Sequence, residues 1–352
     1  MKHQIDWSKP PRAESPPNFD DLLTVLEHQP PSRPTLFEFG FNGRLREKLL
    51  GEDKLDNTSD DLAGHVESMY AWRNAGYDYF PLTLPGLGFP AGEREKQKTI
   101  SLNQGSVIVD RKSFDDYEWQ DPDNTDDSIL EKLAPAIPEG MKLVIKGPGG
   151  VLENAVGLMG YENLCYMVMD DEQLVLDVFQ EIGSRFVRYY EIAVQHDAVG
   201  ACIANDDWGF KSQTMLSPAD MRKFVFPWHK QIVAAVHAAG KPAILHSCGY
   251  VTEIIEDTIE YMKYDGRHSY EDTICPVEDF YEEYHDRIAV LGGIDVNFVC
   301  QSTPEEVFER SKAMLERAEG RGSYALGTGN SVPDYVPDEN YFAMLYAALD
   351  ER

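Results

Sequence analysis

Pro242-Ala243-Ile244-Leu245-His246-Ser247-Cys248-Gly249 is an apolar run that ends on a histidine and a cysteine two residues apart. An extended backbone turns residues i and i+2 to the same side, so imidazole and thiol can converge on one soft metal such as zinc. The same pair at the end of a buried strand can equally be packed or hydrogen-bonded, because cysteine is among the most buried residue types. The choice depends on whether this run is one strand of a larger repeating pattern.

The pattern repeats. Short β-like runs occur at residues 35–39, 77–82, 142–146, 199–204, 242–246, 261–264, 288–291 and 323–326, with helix-sized segments between most of them. Eight alternating units predict an α/β fold, a TIM (β/α)8 barrel. A doubly wound sheet would carry a glycine fingerprint in its first strand-to-helix turn. The nearest match, Gly86-Leu87-Gly88 with Gly92, runs into Glu93-Arg94-Glu95-Lys96 and reads as a loop. Residues 1–33 are Pro-rich and read as an N-terminal arm with one short helix over 19–27, leaving 34–352 as the barrel. Within it, residues 91–128 form a rim insertion after the second strand. There Thr99-Ile100-Ser101-Leu102 and Val107-Ile108-Val109 flank Asn103-Gln104-Gly105-Ser106 and predict a β-hairpin.

Composition narrows the function classes. Of 352 residues, 42% are hydrophobic, enough for a full core. Thirty-two basic residues against 61 acidic ones give a formal charge of -29, which repels nucleic acid and anionic membrane and disfavours a polyanionic substrate. Five cysteines at 165, 202, 248, 275 and 300 follow no paired spacing and fit reduced thiols. With no signal-peptide pattern and no membrane-length apolar run, a cytoplasmic protein is expected.

Barrel chemistry sits at the carboxyl ends of the strands, and polar residues collect there. Glu38, Asn42 and Arg44 follow the first run, Gly147-Pro148-Gly149-Gly150 and then Glu153 the third, and Asn205-Asp206-Asp207-Trp208 the fourth. His246 and Cys248 follow the fifth, His268 lies after the sixth, Asp295 after the seventh, and Thr328 with Asn330 after the eighth. Taken singly, Asp206 or Asp207 can be a helix cap and Asp295 a turn former; several on one rim point to a site. His229 and His237 lie in a helical run and read as helix-face histidines, and Met159, Met167 and Met169 as core.

In order along the chain, Asn205-Asp206-Asp207-Trp208-Gly209, Leu216-Ser217-Pro218, His246-Ser247-Cys248-Gly249, Leu291-Gly292-Gly293-Ile294-Asp295, Leu326-Gly327-Thr328-Gly329-Asn330 and Pro337-Asp338-Glu339-Asn340 resemble the uroporphyrinogen decarboxylase superfamily over about residues 34 to 350. The resemblance implies a TIM barrel with its site on the carboxyl face, and one of two chemistries: porphyrinogen decarboxylation, or methyl transfer between a corrinoid protein and a small thiol or folate-type acceptor. Relative to the decarboxylases, three parts are missing. Phe37-Glu38-Phe39-Gly40-Phe41-Asn42-Gly43-Arg44 stands where an Arg-rich segment belongs, Phe80-Pro81-Leu82-Thr83-Leu84 has no acid, and Gly327-Thr328-Gly329-Asn330 has no histidine.

The thiol-methylating relatives bind zinc through His-x-Cys, which His246 and Cys248 match, and through a second cysteine in the last glycine loop, which this chain lacks. A further ligand then has to come from Glu153, Asp207, His268, Asp295 or water. The expectation is a corrinoid-dependent methyltransferase with zinc on His246 and Cys248, and with methylcobalamin carried by a partner corrinoid protein. Asp207, His268, Asp295 and Glu153 are the catalytic candidates, and Glu38, Asn42, Arg44, Asp206, Trp208 and Asn330 the substrate-binding candidates. A decarboxylase for a smaller substrate and a non-catalytic binding member remain the alternatives.

Overall fold

Runs of valine, isoleucine and leucine that are buried on both faces favour parallel pairing. The computed structural model, which describes residues 5–53, 60–92 and 101–349, has seven strands, β1 (Tyr79–Thr83), β2 (Lys142–Lys146), β3 (Val199–Asn205), β4 (Ala243–His246), β5 (Gly266–His268), β6 (Ala289–Leu291) and β7 (Tyr324–Ala325), of which β2, β4 and β6 are such runs. All neighbours are parallel and follow sequence order, giving a curled seven-stranded sheet of TIM-like form.

The first run does not become a strand. Leu36 makes a single bridge to Leu326 beside β7, with Phe37 N–H to Leu326 O at 2.8 Å and Leu326 N–H to Thr35 O at 2.8 Å. On its other side a tyrosine replaces the backbone ladder: Glu38 N–H donates to Tyr79 Oη at 2.7 Å, and that hydroxyl donates to Glu38 O at 2.6 Å. Both backbone groups are satisfied without a strand partner, so no ladder forms there.

The sixth run also shifts. Tyr261 and Met262 end a wide helical turn, Asp257–Met262, stopped by Lys263 in the left-handed region at φ 67°, and the strand is Gly266–His268 instead. The expected hairpin is not seen. Residues 101–128 contain no strand, and Thr99 and Ile100 lie outside the described residues. Val107 and Ile108 donate to Leu158 O at 2.7 and 2.9 Å, so the open carbonyl at the end of the helix Val151–Met159 takes donors that a hairpin would have used. Met159 is buried as expected, whereas Met169 is 84% exposed.

The arm's helix, Phe19–Leu26, lies across the amino ends of the strands. Phe19 fills the space above Gly200 at the start of β3, and Leu26 that above Gly266 at the start of β5; an added Cβ there would stand 2.4 and 2.7 Å from those side chains. Arg33 fastens this end through Asp21 at 3.2 Å and Asp78 at 2.5 Å. With the amino end covered, the carboxyl end is left for chemistry.

Candidate functional site

Two glycines let the loops after β3 and β4 touch. A Cβ on Gly209 would lie 2.4 Å from Tyr250 N, and one on Gly249, at φ 83°, 2.0 Å from Gly209 O. With no side chains in the way, the loops hydrogen-bond directly: Gly209 N–H to Cys248 O at 3.2 Å and Tyr250 N–H to Phe210 O at 2.7 Å. The contact brings Asp207 to Cys248, whose N–H donates to Asp207 Oδ1 at 3.1 Å. One ligand atom each from Asp207, His246 and Cys248 lies within 4.8 Å of the other two.

The protonation of His246 follows from its neighbours. His268 Nε2 is 3.0 Å from Thr328 O, an atom that can only accept, so Nε2 carries the proton. Burial lowers the His268 pKa to about 4, and that of His246 well below the usual imidazole value, so both rings are neutral at pH 7. His268 Nδ1 is therefore an acceptor, and His246 Nδ1, 2.7 Å away, donates to it. The lone pair of His246 is left on Nε2, which meets the Cys248 thiol at 3.7 Å. Phe39 stacks on His246 with centroids 3.9 Å apart and planes at 9°, holding the ring in place.

Burial, and then the Asp207 charge, push the Cys248 thiol up to about 12. It keeps its proton at neutral pH until a cation is present. Asn330 Nδ2 lies 3.2 Å from its sulfur. A sulfur, an unprotonated imidazole nitrogen and a carboxylate form the kind of donor set that zinc takes, with a fourth position left for a ligand. The donors fit.

The other expected residues take different places. Glu153 reaches solvent yet stands against the rim; withdrawal from water, then Asp206 and Asp207, raise its carboxyl to about 8. Asp295 caps the helix Val296–Gln301 and accepts Asp272 N–H at 2.9 Å. It lines a separate cavity of about 540 Å³ with Tyr270, Glu271 and Asn330, so Asn330 borders both regions.

Glu38 is fully buried, which pushes its carboxyl well above the usual range, and it braces the β7 loop with Oε1 2.8 Å from Thr328 Oγ1. Asn42 caps the helix Gly43–Leu50, and Arg44 pairs with Asp338 at 2.8 Å. Asp206 accepts Leu152 and Glu153 N–H, both at 2.9 Å, and meets His229 Nε2 at 2.9 Å. Trp208 is fully buried against Phe226 and His229. These five residues support the rim from behind. Phe39 and Lys146 were not picked out from sequence, although Lys146 closes an apolar strand at its carboxyl end and could have been found by that rule.

No curated protein matches the chain. Among solved structures it resembles a methyltransferase from Methanosarcina mazei, at 15% identity and a TM-score of 0.67 over 93% of this chain and 97% of that one. It also resembles the putative vitamin-B12 independent methionine synthase from Listeria monocytogenes, at 9% identity and a TM-score of 0.51 over 90% and 96%. At such identities these likenesses speak for the fold. The family model for uroporphyrinogen decarboxylase (URO-D) matches residues 125–350, well over half of the chain, and the chain belongs to that family.

Proposed function

We propose that the protein is a methyltransferase that moves a methyl group between a corrinoid protein and a small thiol, with zinc held by His246 Nε2, Cys248 Sγ and Asp207. The observation that carries this reading is the hydrogen-bond chain from Thr328 O through His268, because it leaves the His246 lone pair on Nε2, facing the Cys248 thiol in one cluster with Asp207. Zinc bound there would lower the pKa of an acceptor thiol so that a thiolate is present at neutral pH.

The chain's own residues orient the donors. His268 fixes the His246 tautomer, Phe39 fixes its plane, and the Cys248 N–H fixes Asp207 Oδ1. Decarboxylation of a polycarboxylate is disfavoured because nearby arginines are engaged elsewhere: Arg44 with Asp338, and Arg267 buried 4.5 Å from the Tyr270 ring centre.

Purification without chelators followed by metal analysis tests the reading. With one thiolate instead of two, zinc should be retained in substoichiometric amounts and saturate when supplied. Cys248→Ala should lose the metal and the transfer of methyl from methylcobalamin to a thiol, with its melting temperature close to wild type. Full transfer by that variant, no zinc uptake by the wild type, or release of carbon dioxide from uroporphyrinogen would overturn it.

A further inference from the structure

The seam between residues 35–39 and β7 lacks a full ladder, and one side chain bridges it. Backbone pairing begins regularly, with Leu326 N–H on Thr35 O and Phe37 N–H on Leu326 O. The next bond of a parallel ladder would run from Thr328 N–H to Phe37 O. Thr328 N–H donates instead to Glu38 Oε2 at 3.2 Å. Backbone pairing resumes at Val332, whose N–H meets Gly40 O at 2.8 Å.

The hydrogen bonds around this carboxyl call for a proton on it. Oε1 accepts Phe39 N–H at 3.2 Å and lies 2.8 Å from Thr328 Oγ1. That hydroxyl also contacts Asn330 O, a carbonyl that can only accept, and it has a single proton to give. With that proton given to Asn330 O, Oγ1 is left as an acceptor, and Glu38 Oε1 must be the donor. A carboxylate would instead leave two acceptors competing for one proton. It would also bury a charge with no cation in ion-pair contact among the described residues, which is costly.

Both supports of His246 come back to Glu38. Thr328 O is the acceptor that fixes His268 Nε2 at 3.0 Å, and His268 in turn fixes the His246 tautomer. Phe39 gives its N–H to Glu38, takes Lys146 Nζ on its O at 3.3 Å, and stacks on the His246 ring. Tyr79 Oη pins the backbone of Glu38 from behind.

We propose that Glu38 is a positioning residue of the metal centre: as a neutral acid it fixes Thr328 and Phe39 at once, and through them the tautomer and the ring plane of His246. The consequence for zinc rests on the reading of His246 as a ligand, whereas the consequence for the tautomer does not.

The test uses the full chain. In metal-free protein carrying isotope-labelled histidine, ring-nitrogen shifts should show Nδ1–H on His246 and Nε2–H on His268. Glu38→Leu and Thr328→Val should mix these forms, and Thr328→Val, close to the wild-type shape, serves if Glu38→Leu does not fold. Glu38→Gln should keep them, because its amide can donate to Thr328 Oγ1 and accept from Thr328 N–H as the acid does. Zinc affinity should fall about tenfold in the first two variants, the low end for outer partners of a metal-bound histidine, and stay near wild type in Glu38→Gln. An infrared difference spectrum of wild type against Glu38→Gln at pH 7 should carry the C=O stretch of a neutral carboxyl. Tyr341→Phe, which breaks the buried Tyr77–Tyr341 hydroxyl pair, should lower the melting temperature and leave the ring-nitrogen shifts alone.

Unmixed tautomers in Thr328→Val and in folded Glu38→Leu, mixing in Tyr341→Phe as well, a Glu38→Gln variant as impaired as Glu38→Leu, or carboxylate bands in place of the carboxyl stretch would overturn the assignment. Tautomers that respond to Glu38 in a protein that takes up no zinc would sustain the positioning role and sink the metal reading instead, so the two failures are separable.

Discussion

His229 and His246 are both buried near the carboxyl end of the sheet, and both touch a second polar ring, yet they do opposite things. His229 engages both nitrogens, Nε2 with Asp206 at 2.9 Å and Nδ1 with Tyr264 Oη at 2.7 Å, and its ring packs edge-on to Trp208. It ties the end of β3 to the helix Phe226–Ala238 and to Tyr264. His246 gives Nδ1 to His268 and meets only the weak Cys248 thiol donor at Nε2, 3.7 Å away. Burial alone therefore does not distinguish the two histidines; what differs is that His229 meets a carboxylate and a hydroxyl, whereas the Nε2 of His246 meets only a thiol. The acids differ in the same way: Asp206 is filled by two backbone donors and His229, while Asp207 has one oxygen committed, to the Cys248 N–H.

The comparison can be broken most forcefully at His229. His229→Leu leaves Asp206 buried beside two N–H donors but without its ring partner, and removing one member of a buried pair costs about 3–5 kcal/mol. Chemical denaturation should register that loss, while the surviving protein keeps its zinc affinity. A variant that stays as stable as wild type and loses zinc would reverse the roles assigned to the two histidines.

A smaller effect is expected at His268, whose loss leaves His246 free to adopt either tautomer. Outer partners of metal-bound histidines typically contribute about 10–100-fold in affinity, so His268→Leu should weaken zinc by that order in a competition titration. An unchanged affinity would mean that the hydrogen-bond chain does not set the His246 tautomer.

The smallest effect concerns Glu153. Its carboxyl is raised to about 8 from an ordinary 4.5, so it is protonated in the folded chain where the unfolded chain has it ionised. The folded state then binds more protons, and stability falls as pH rises from about 4.5 toward 8. Glu153→Gln should therefore raise the melting temperature at pH 7 and make little difference near pH 4.5. Because the side chain reaches solvent, screening keeps the gain small. A gain of equal size at both pH values would point to packing instead of charge.

Much of this was legible in the sequence, and the part that was not has a physical cause. Apolar runs and the polar residues that end them are local patterns, set by burial and by the period of an extended chain. They place His246, Cys248, Asp207, His268 and Asn330 at strand ends. They also marked 35–39 as a strand, because nothing in that run announces that a tyrosine hydroxyl 41 residues away takes its backbone groups. The run at 261–264 failed for a similar reason: its residues pack as well on a helical turn as on a strand, and only the chain reversal at Lys263 decides.

What tertiary structure alone decided is which polar groups are already engaged. Asp206 and Asp207 are adjacent in sequence and identical in type, but β3 turns one toward the helix Val151–Met159 and the other toward Cys248. The tautomer of His246 depends on a carbonyl in the β7 loop. Residue type determines what a group can donate or accept, whereas its partners, drawn from strands far apart in the chain, determine what it has left to offer a ligand.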